Sequence, residues 1–221
     1  MTGWVILVDQ PRDLPNAETP HKVITTSEYL ARPRLFEVGR PKLVNLARSY
    51  AYQSKGYYAS LLAEARGHRV VPTVETMLEL REQKLYEHVL PDLEEELNRC
   101  AQRTDFQCAG EFKLLVCFGI ARDDRFEPFG RLLFDWFRCP ALEVTIETGG
   151  KWLVIDRIRP RTITRLASGE AEFFRECLHN HTKREWRDPK TRSVAKYDLA
   201  VLYDPNEKTA PSSPDSIKHF V

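Results

Sequence analysis

Residues 42–73, KLVNLARSYAYQSKGYYASLLAEARGHRVVPT, decide the fold of this chain. The apolar run at residues 42–46 is typical of a buried strand, and residues 69–71 form a second short strand. Between the two runs, apolar residues recur at helical spacing over residues 57–66. Strand, helix and strand in this order favour a parallel pair with a right-handed crossover.

Further strands and helices flank this unit. Residues 4–9, WVILVD, form an apolar run ending in an acid, typical of a strand buried in a parallel sheet. Residues 141–148 and 151–159 flank Gly149-Gly150 and predict a hairpin, and residues 168–181 predict an amphipathic helix. We therefore expect an α/β fold: an open, mixed, largely parallel sheet with flanking helices in a Rossmann-like three-layer arrangement, plus a C-terminal β-hairpin and helix.

The segment after the deciding unit is helical and acidic. Residues 74–103 are predicted to form two helices divided at Pro91, since proline interrupts a helix interior. Residues 75–96 hold eight acids and two bases. The simplest interpretation of this charge is a solvated helix face.

The composition excludes several classes of protein. With 221 residues, 42% hydrophobic and 29% charged, the chain is neither disordered, collagen-like nor a small disulfide scaffold. No apolar run approaches the roughly 18 residues that suggest a membrane span. The net charge of +1 creates no general attraction to nucleic acid, so we expect neither a membrane nor a nucleic-acid partner.

The cysteines do not form a metal-binding pattern. No two of them are spaced as C-x-x-C, so we expect no metal site, and we expect a reduced, cytoplasmic protein. Cys117 lies in an apolar, strand-like run and is predicted to be a small core residue. The five cysteines are Cys100, Cys108, Cys117, Cys139 and Cys177.

The candidate binding site is the loop after the strand at residues 42–46. It lies at the carboxyl end of a predicted parallel strand and leads into a helix N-terminus, where open α/β sheets bind ligands. Arg48 could contact a phosphate or carboxylate with two N–H groups, Ser54 could cap the helix, and Gly56 would let a ligand or another backbone approach closely. The candidate substrate- or anion-binding residues are Asn45, Arg48, Ser49, Tyr50, Tyr52, Gln53, Ser54, Gly56 and Tyr57.

This loop has two interpretations. Residues 40–70 hold six bases and one acid, which agrees with an anionic partner. Alternatively, the tyrosines could pack against a neighbouring helix or domain, and the basic loop could pair with the acidic residues 75–96. Both interpretations remain open from the sequence.

Two other groups of residues could contribute to a site. Asp9, Arg12 and Asp13 follow the first strand and could turn toward the sheet edge that holds Arg48, or could simply shape their own loop. A basic stripe after the hairpin could contact RNA or phosphate, although alternating exposed arginines are usual on an edge strand: Arg157, Arg159, Arg161 and Arg165. No nucleotide-loop fingerprint is present, and no catalytic set can be assigned.

Several stretches of sequence resemble a known family. Residues 5–13, VILVDQPRD, and residues 45–68, NLARSYAYQSKGYYASLLAEARGH, are similar to the N-terminal domain of RimK-like ATP-grasp proteins. The strand end at residues 118–119, the helix at residues 132–137 and residues 158–160 also fit. The resemblance covers roughly residues 3–165, and residues 45–68 are its most specific part. It implies a domain of this family over residues 1–182 and, at 197–221, the truncated start of the ATP-grasp region that follows in such proteins. The polar and basic composition of residues 183–196 predicts a linker between the two.

The resemblance also implies a function. ATP-grasp ligases join a carboxylate to an amine through an acyl phosphate, using ATP and Mg²⁺. Because the nucleotide and metal residues of that family lie in the downstream core, we expect no cofactor and no catalytic residue in this chain. The expected partners are an ATP-grasp domain, in cis or in trans, and a small carboxylate, phosphate or peptide.

Three functional hypotheses follow. The first is an accessory N-terminal domain of an ATP-dependent carboxylate–amine ligase, which contributes substrate binding or domain packing and is catalytically incomplete alone. The second is a stand-alone binding module for an anionic ligand or a partner protein. The third is an independent transferase-type enzyme acting at the loop, which the fold permits but does not establish.

Overall fold

The computed structural model describes residues 3–15, 18–32, 34–36, 39–107, 110–149 and 152–183. Eight strands lie in these residues: β1 (Trp4–Val8), β2 (Lys22–Thr25), β3 (Lys42–Asn45), β4 (Arg69–Val71), β5 (Glu111–Cys117), β6 (Ile120–Ala121), β7 (Ala141–Gly149) and β8 (Trp152–Pro160). The same residues hold six α-helices: α1 (Thr26–Ala31), α2 (Lys55–Ala65), α3 (Val74–Glu79), α4 (Leu90–Arg103), α5 (Glu127–Trp136) and α6 (Ser168–Lys183). Of the predicted linker at 183–196, only Lys183 is described, and the predicted ATP-grasp start at 197–221 lies outside the described residues.

The first four strands form a parallel sheet in the order β2-β1-β3-β4. β3, α2 and β4 form the β-loop-α-β unit predicted for residues 42–73, with Leu43 of β3 opposite Val70 of β4. All five residues of β1 are buried, because β1 lies inside the sheet and both of its faces are covered.

The last four strands form a separate antiparallel sheet in the order β6-β5-β7-β8. β7 and β8 are the predicted hairpin, and a bulge interrupts their register between Thr145 and Ile146. The α/β class, the mixed strand directions and the C-terminal hairpin and helix are thus confirmed. The structure differs in dividing the parallel and antiparallel strands between two sheets rather than joining them in one.

Three hydrophobic cores connect the layers. One face of the parallel sheet packs against α1 and α2, through residues such as Leu7 and Ala63. The opposite face, which includes Ile6, shares a core with α6 and with the end of β5. The parallel sheet therefore has helices on both sides, as the three-layer expectation requires. A third core joins one face of the antiparallel sheet to α4 and α5.

The helical segment after β4 divides earlier than its proline predicts. α3 already ends at Glu79, and Pro91 lies in the first turn of α4. Proline is tolerated there because the first N–H groups of a helix have no partner within the helix. Two short 3₁₀ turns, Gln83–Leu85 and Glu87–Val89, connect the two helices.

The described cysteines are part of the cores. Cys100, Cys117, Cys139 and Cys177 are buried free thiols, and Cys108 lies outside the described residues. Cys117 is fully buried, which confirms its prediction as a core residue. Burial raises the pKa of Cys139 to about 12, so this thiol stays protonated.

Side chains close the free edge of β8. Asn98 of α4 accepts a hydrogen bond from the N–H of Leu153 and donates one to its carbonyl oxygen, both at 2.8 Å. The N–H of Ile155 donates to Glu94 at 2.9 Å. Both polar backbone groups of Leu153 therefore have partners although the residue is buried, and α4 is held in place against β8.

We expect Asn98→Ala to lower the free energy of unfolding by about 2–4 kcal/mol, because it leaves two buried backbone groups of Leu153 without partners. The matched control is Gln102→Ala on the same helix, where the side chain is exposed and the expected change is within about 0.5 kcal/mol. Urea unfolding of the two variants measures the difference. Equal losses of stability would show that Asn98 does not hold this edge.

Candidate functional site

Asn45, the last residue of β3, holds the loop that follows it. Its amide donates to the carbonyl oxygen of Gly56 at 2.8 Å and to the hydroxyl of Ser60 at 3.0 Å, and its Oδ1 accepts from the N–H of Ala47 at 3.1 Å. Ser60 in turn donates to the carbonyl oxygen of Pro72 at 2.7 Å. Asn45 is fully buried, and both of its N–H groups are used within the chain, so it positions the loop.

The start of α2 passes very close to the same loop. A Cβ at Gly56 would lie 2.6 Å from Cβ of Ala47 and still closer to the carbonyl oxygen of Ser49. The close approach that we predicted for Gly56 is therefore made by the chain's own backbone. Ser54 accepts from the N–H of Tyr57 at 3.2 Å, which confirms the predicted N-cap, and donates to the carbonyl oxygen of Ser49 at 2.9 Å.

Arg48 pairs with acids that follow β1. Its Nε and Nη2 donate to the two carboxylate oxygens of Asp13, at 2.9 and 2.5 Å, and Nη2 also lies 3.2 Å from Gln10 Oε1. The backbone N–H of Arg48 donates to Asp9 at 2.9 Å, and Asp9 also accepts from the hydroxyl of Thr26. The hydrogen bonds to Asp13 raise the pKa of Arg48 above its ordinary value.

These contacts bear on the two interpretations of the residues after β1. Asp9 and Asp13 both turn toward the sheet edge that holds Arg48, as the first interpretation predicts. Asp13 also accepts a hydrogen bond from the N–H of Gln10 at 3.1 Å and so shapes its own loop as well, whereas Arg12 is exposed. The two-pronged contact that the sequence led us to expect between Arg48 and a ligand is made with Asp13 instead. The Asp13 side chain is only 2% exposed, and the Arg48 side chain is 34% exposed.

The tyrosines of the loop divide into inward and outward groups. Tyr50 donates from its hydroxyl to the carbonyl oxygen of Asn45 at 2.6 Å, and burial raises its pKa well above the ordinary value, so it remains a donor. Tyr57 is buried beneath Tyr52, with ring centroids 5.2 Å apart. Tyr52 is 55% exposed, and Gln53, at a φ of 65°, is also exposed. Tyr52 is therefore the tyrosine of this group most available to a ligand or another surface.

A cleft of about 570 Å³ lies beside the loop. Its first wall is the loop itself, residues 48–52. Its second wall is formed by α3 and the residues after it, with Met77, Leu78, Leu80 and Arg81. The third wall is formed by the last residue of β8 and the residues after it, with Pro160, Thr162 and Arg165.

The cleft lies at the carboxyl ends of β3 and β4, because the loop follows β3 directly and α3 follows β4. This is the position at which open α/β sheets bind ligands.

Four of the nine candidate residues line this cleft: Arg48, Ser49, Tyr50 and Tyr52. The other five do not line it, and contribute to the shape or surface of the loop: Asn45, Gln53, Ser54, Gly56 and Tyr57. Sequence reasoning missed the second wall completely, because residues 77–81 carry no sign beyond that of an ordinary amphipathic helix. Arg165 did carry a sign, since it belongs to the basic stripe that we considered as a phosphate contact.

The charges of the lining have one sign. Among the described residues that form the cleft, three are arginines and none is Asp or Glu. Arg48 is neutralised by Asp13, whereas Arg81 lies at the weak distance of 4.0 Å from Glu82. The cleft thus combines cationic groups with an apolar wall, and it suits an anion that also has an apolar part.

Two further observations concern the whole described part of the chain. Within those ranges, no group of three or more His, Cys, Asp or Glu side chains is placed to bind a metal ion. Among the same residues, every helix is too short or too polar to cross a lipid bilayer.

We expect Gly56→Ala to destabilise the protein by about 1–3 kcal/mol, because the new methyl group would meet the backbone at Ser49 and the side chain of Ala47. Gly3→Ala is the matched control, since a Cβ there meets nothing within 4 Å. Thermal unfolding compares the two variants, and amide NMR shifts of residues 47–54 report whether the loop has moved. Equal stability and unchanged shifts would contradict the close approach.

Comparison with known proteins identifies the family. The search of the curated proteins finds no match to this chain. The sequence model of one protein family, described as the RimK-like ATPgrasp N-terminal domain (RLAN), matches residues 26–177. This range contains more than half of the chain and includes all three walls of the cleft. The chain therefore belongs to the family of RimK-like ATP-grasp N-terminal domains.

Proposed function

We propose that this chain is the substrate-binding N-terminal domain of a RimK-like ATP-grasp carboxylate–amine ligase, and that its cleft holds an anionic substrate. The observation that carries the proposal is the lining of the cleft, which contains three arginines and, among the described residues, no acid. Charge of one sign in a concave site raises the local concentration of ligands of opposite charge. The carboxylate that such a ligase activates is a ligand of this kind.

In this proposal, ATP and Mg²⁺ bind to an ATP-grasp region in cis or in trans. The chemistry that they supply is the activation of a carboxylate as an acyl phosphate, which an amine then attacks. The residues of this chain bind and orient a substrate for that reaction. Holding two reactants in the correct geometry contributes to rate without any group that transfers a proton or a phosphoryl group.

Because Arg48 is paired with Asp13, the three arginines of the cleft have different roles. Arg48 positions the loop wall, because both of the N–H groups that face Asp13 are occupied. Arg81 and Arg165 stand on the two other walls and supply the positive charge for an anion. Charge-assisted hydrogen bonds from guanidinium groups to a carboxylate are stronger than neutral ones.

We expect Arg165→Gln to weaken the binding of succinate to the chain by about tenfold, because it removes one charge-assisted hydrogen bond from the cleft. The measurement is an NMR titration at low ionic strength, in which the amide signals of residues 49–52 and 162–165 shift with succinate. Added salt should weaken the binding of this charged ligand.

Arg157→Gln is the control for this experiment. It removes the same charge from an exposed arginine of β8 that does not line the cleft, and binding should stay as in the unchanged protein. Equal weakening by the two substitutions would mean that only net charge matters. Succinate-induced shifts elsewhere in the protein, with none in the cleft, would also contradict the proposal.

A second candidate function, packing against the ATP-grasp region, rests on a different surface. Tyr58 and Leu61 of α2 are 42% and 41% exposed, and Tyr52 extends the same apolar surface. The exposed face of α2 thus presents Tyr58 and Leu61 between the charged Lys55 and Glu64, and an exposed apolar patch with a polar rim suits a protein contact. Mixing the chain with an ATP-grasp region distinguishes the candidates, because packing would shift the signals of α2 whereas substrate would shift those of the cleft.

A further inference from the structure

Apolar side chains form one wall of the cleft. Met77 and Leu80 are only 5% and 6% exposed, so this wall of the cleft is the surface of the hydrophobic core. Leu78 is half-buried and lies in the same wall. On the opposite side, the exposed ring of Tyr52 also lines the cleft. A ligand that fills this space must place an apolar or aromatic group against these side chains, because polar groups would lose hydration there without a replacement.

The cationic part of the lining is small and accessible. The side chains of Arg81 and its neighbour Glu82 are 59% and 63% exposed, and exposed pairs of this kind contribute little. The guanidinium of Arg165 forms no ion pair with another residue in the part of the chain that the structure describes. Two guanidinium groups are therefore available, which suits a single carboxylate held between them.

The lining also disfavours ligands that carry an ammonium group beside the carboxylate. None of the described residues that line the cleft is an acid, so an α-ammonium group on the ligand would have no carboxylate to pair with. It would instead lie close to arginines, where like charges repel. A free amino acid is a zwitterion and meets this penalty, whereas an N-acylated amino acid does not.

We infer that the cleft selects amphipathic carboxylates, in which the carboxylate is attached to an apolar or aromatic group and has no ammonium beside it. The inference rests on the proposed function and names the substrate class of the same site. N-acylated amino acids with apolar side chains and arylalkyl carboxylates belong to this class. Dicarboxylates such as succinate bind through their charge alone and therefore more weakly, and free amino acids lie outside the class.

Three probes of related structure test the inference on the full 221-residue chain. They are N-acetyl-L-phenylalanine, L-phenylalanine and N-acetyl-L-aspartate, each titrated at low ionic strength and followed by amide NMR shifts of the cleft. N-acetyl-L-phenylalanine is expected to bind about tenfold more tightly than N-acetyl-L-aspartate, which is the ratio expected for burying part of an aromatic ring. It is also expected to bind about tenfold more tightly than L-phenylalanine, because the ammonium group of the free amino acid would lie close to the arginines.

Two variants test whether the apolar wall determines the affinity, independently of any effect on folding. Leu78→Asn places a polar group in the wall and should weaken N-acetyl-L-phenylalanine about five- to tenfold while leaving N-acetyl-L-aspartate unchanged. Leu85→Asn makes the same change at a leucine that is 45% exposed and outside the lining, and should leave both affinities unchanged. Thermal unfolding of both variants checks that they fold.

The outcomes distinguish this inference from the proposed function. If N-acetyl-L-aspartate binds as tightly as N-acetyl-L-phenylalanine, the apolar selectivity is overturned, and anion binding by the cleft still stands. Equal binding of L-phenylalanine and its N-acetyl form would overturn the exclusion of ammonium groups. If none of the three probes shifts the cleft signals, the inference and the proposed function both fail. The probe series needs no variant, so it is decisive even where a substitution unfolds the protein.

Discussion

The ion pair between Arg48 and Asp13 is the interaction on which the carboxyl end of the parallel sheet depends. It joins the loop that follows β3 to the loop that follows β1, and the backbone N–H of Arg48 adds a second link through Asp9. Because the Asp13 side chain is almost completely shielded from water, its charge requires the guanidinium as a partner. The position of the loop, and hence of one wall of the cleft, follows from this requirement.

The cleft needs the complete fold, since its three walls come from distant parts of the sequence. One wall follows β3, one is formed by α3, and one follows β8 of the antiparallel sheet. The second wall includes residues of α3, Met77 and Leu78, and the two residues that follow its end, Leu80 and Arg81. If the cleft binds substrate as proposed, recognition is kept separate from the nucleotide chemistry of the ATP-grasp region.

Local patterns were sufficient to predict the β-loop-α-β unit of residues 42–73, the N-cap at Ser54, the hairpin and the family. They were insufficient for the division into two sheets, because strand order depends on contacts between distant segments. They also failed at Pro91, which is compatible with the first turn of a helix as well as with its end. For the site, loop residues were found because polar side chains interrupt an apolar pattern. The apolar wall at Met77 and Leu80 has no such signature, since a residue lining a cleft and a core residue look alike in sequence.

The closed edge of β8 has a consequence for the behaviour of the protein at high concentration. Asn98 and Glu94 occupy backbone groups of β8, and the Tyr86 hydroxyl accepts a further hydrogen bond from the N–H of Ile158. An uncovered edge is a template on which a second chain can add a strand, which is how many β-proteins begin to aggregate. On the opposite side of the sheet, β6 spans only Ile120–Ala121 and pairs with Val116 and Cys117 at the end of β5. The side chains that cover β8 therefore help to prevent aggregation. Their sequence positions matter for solubility as well as for folding.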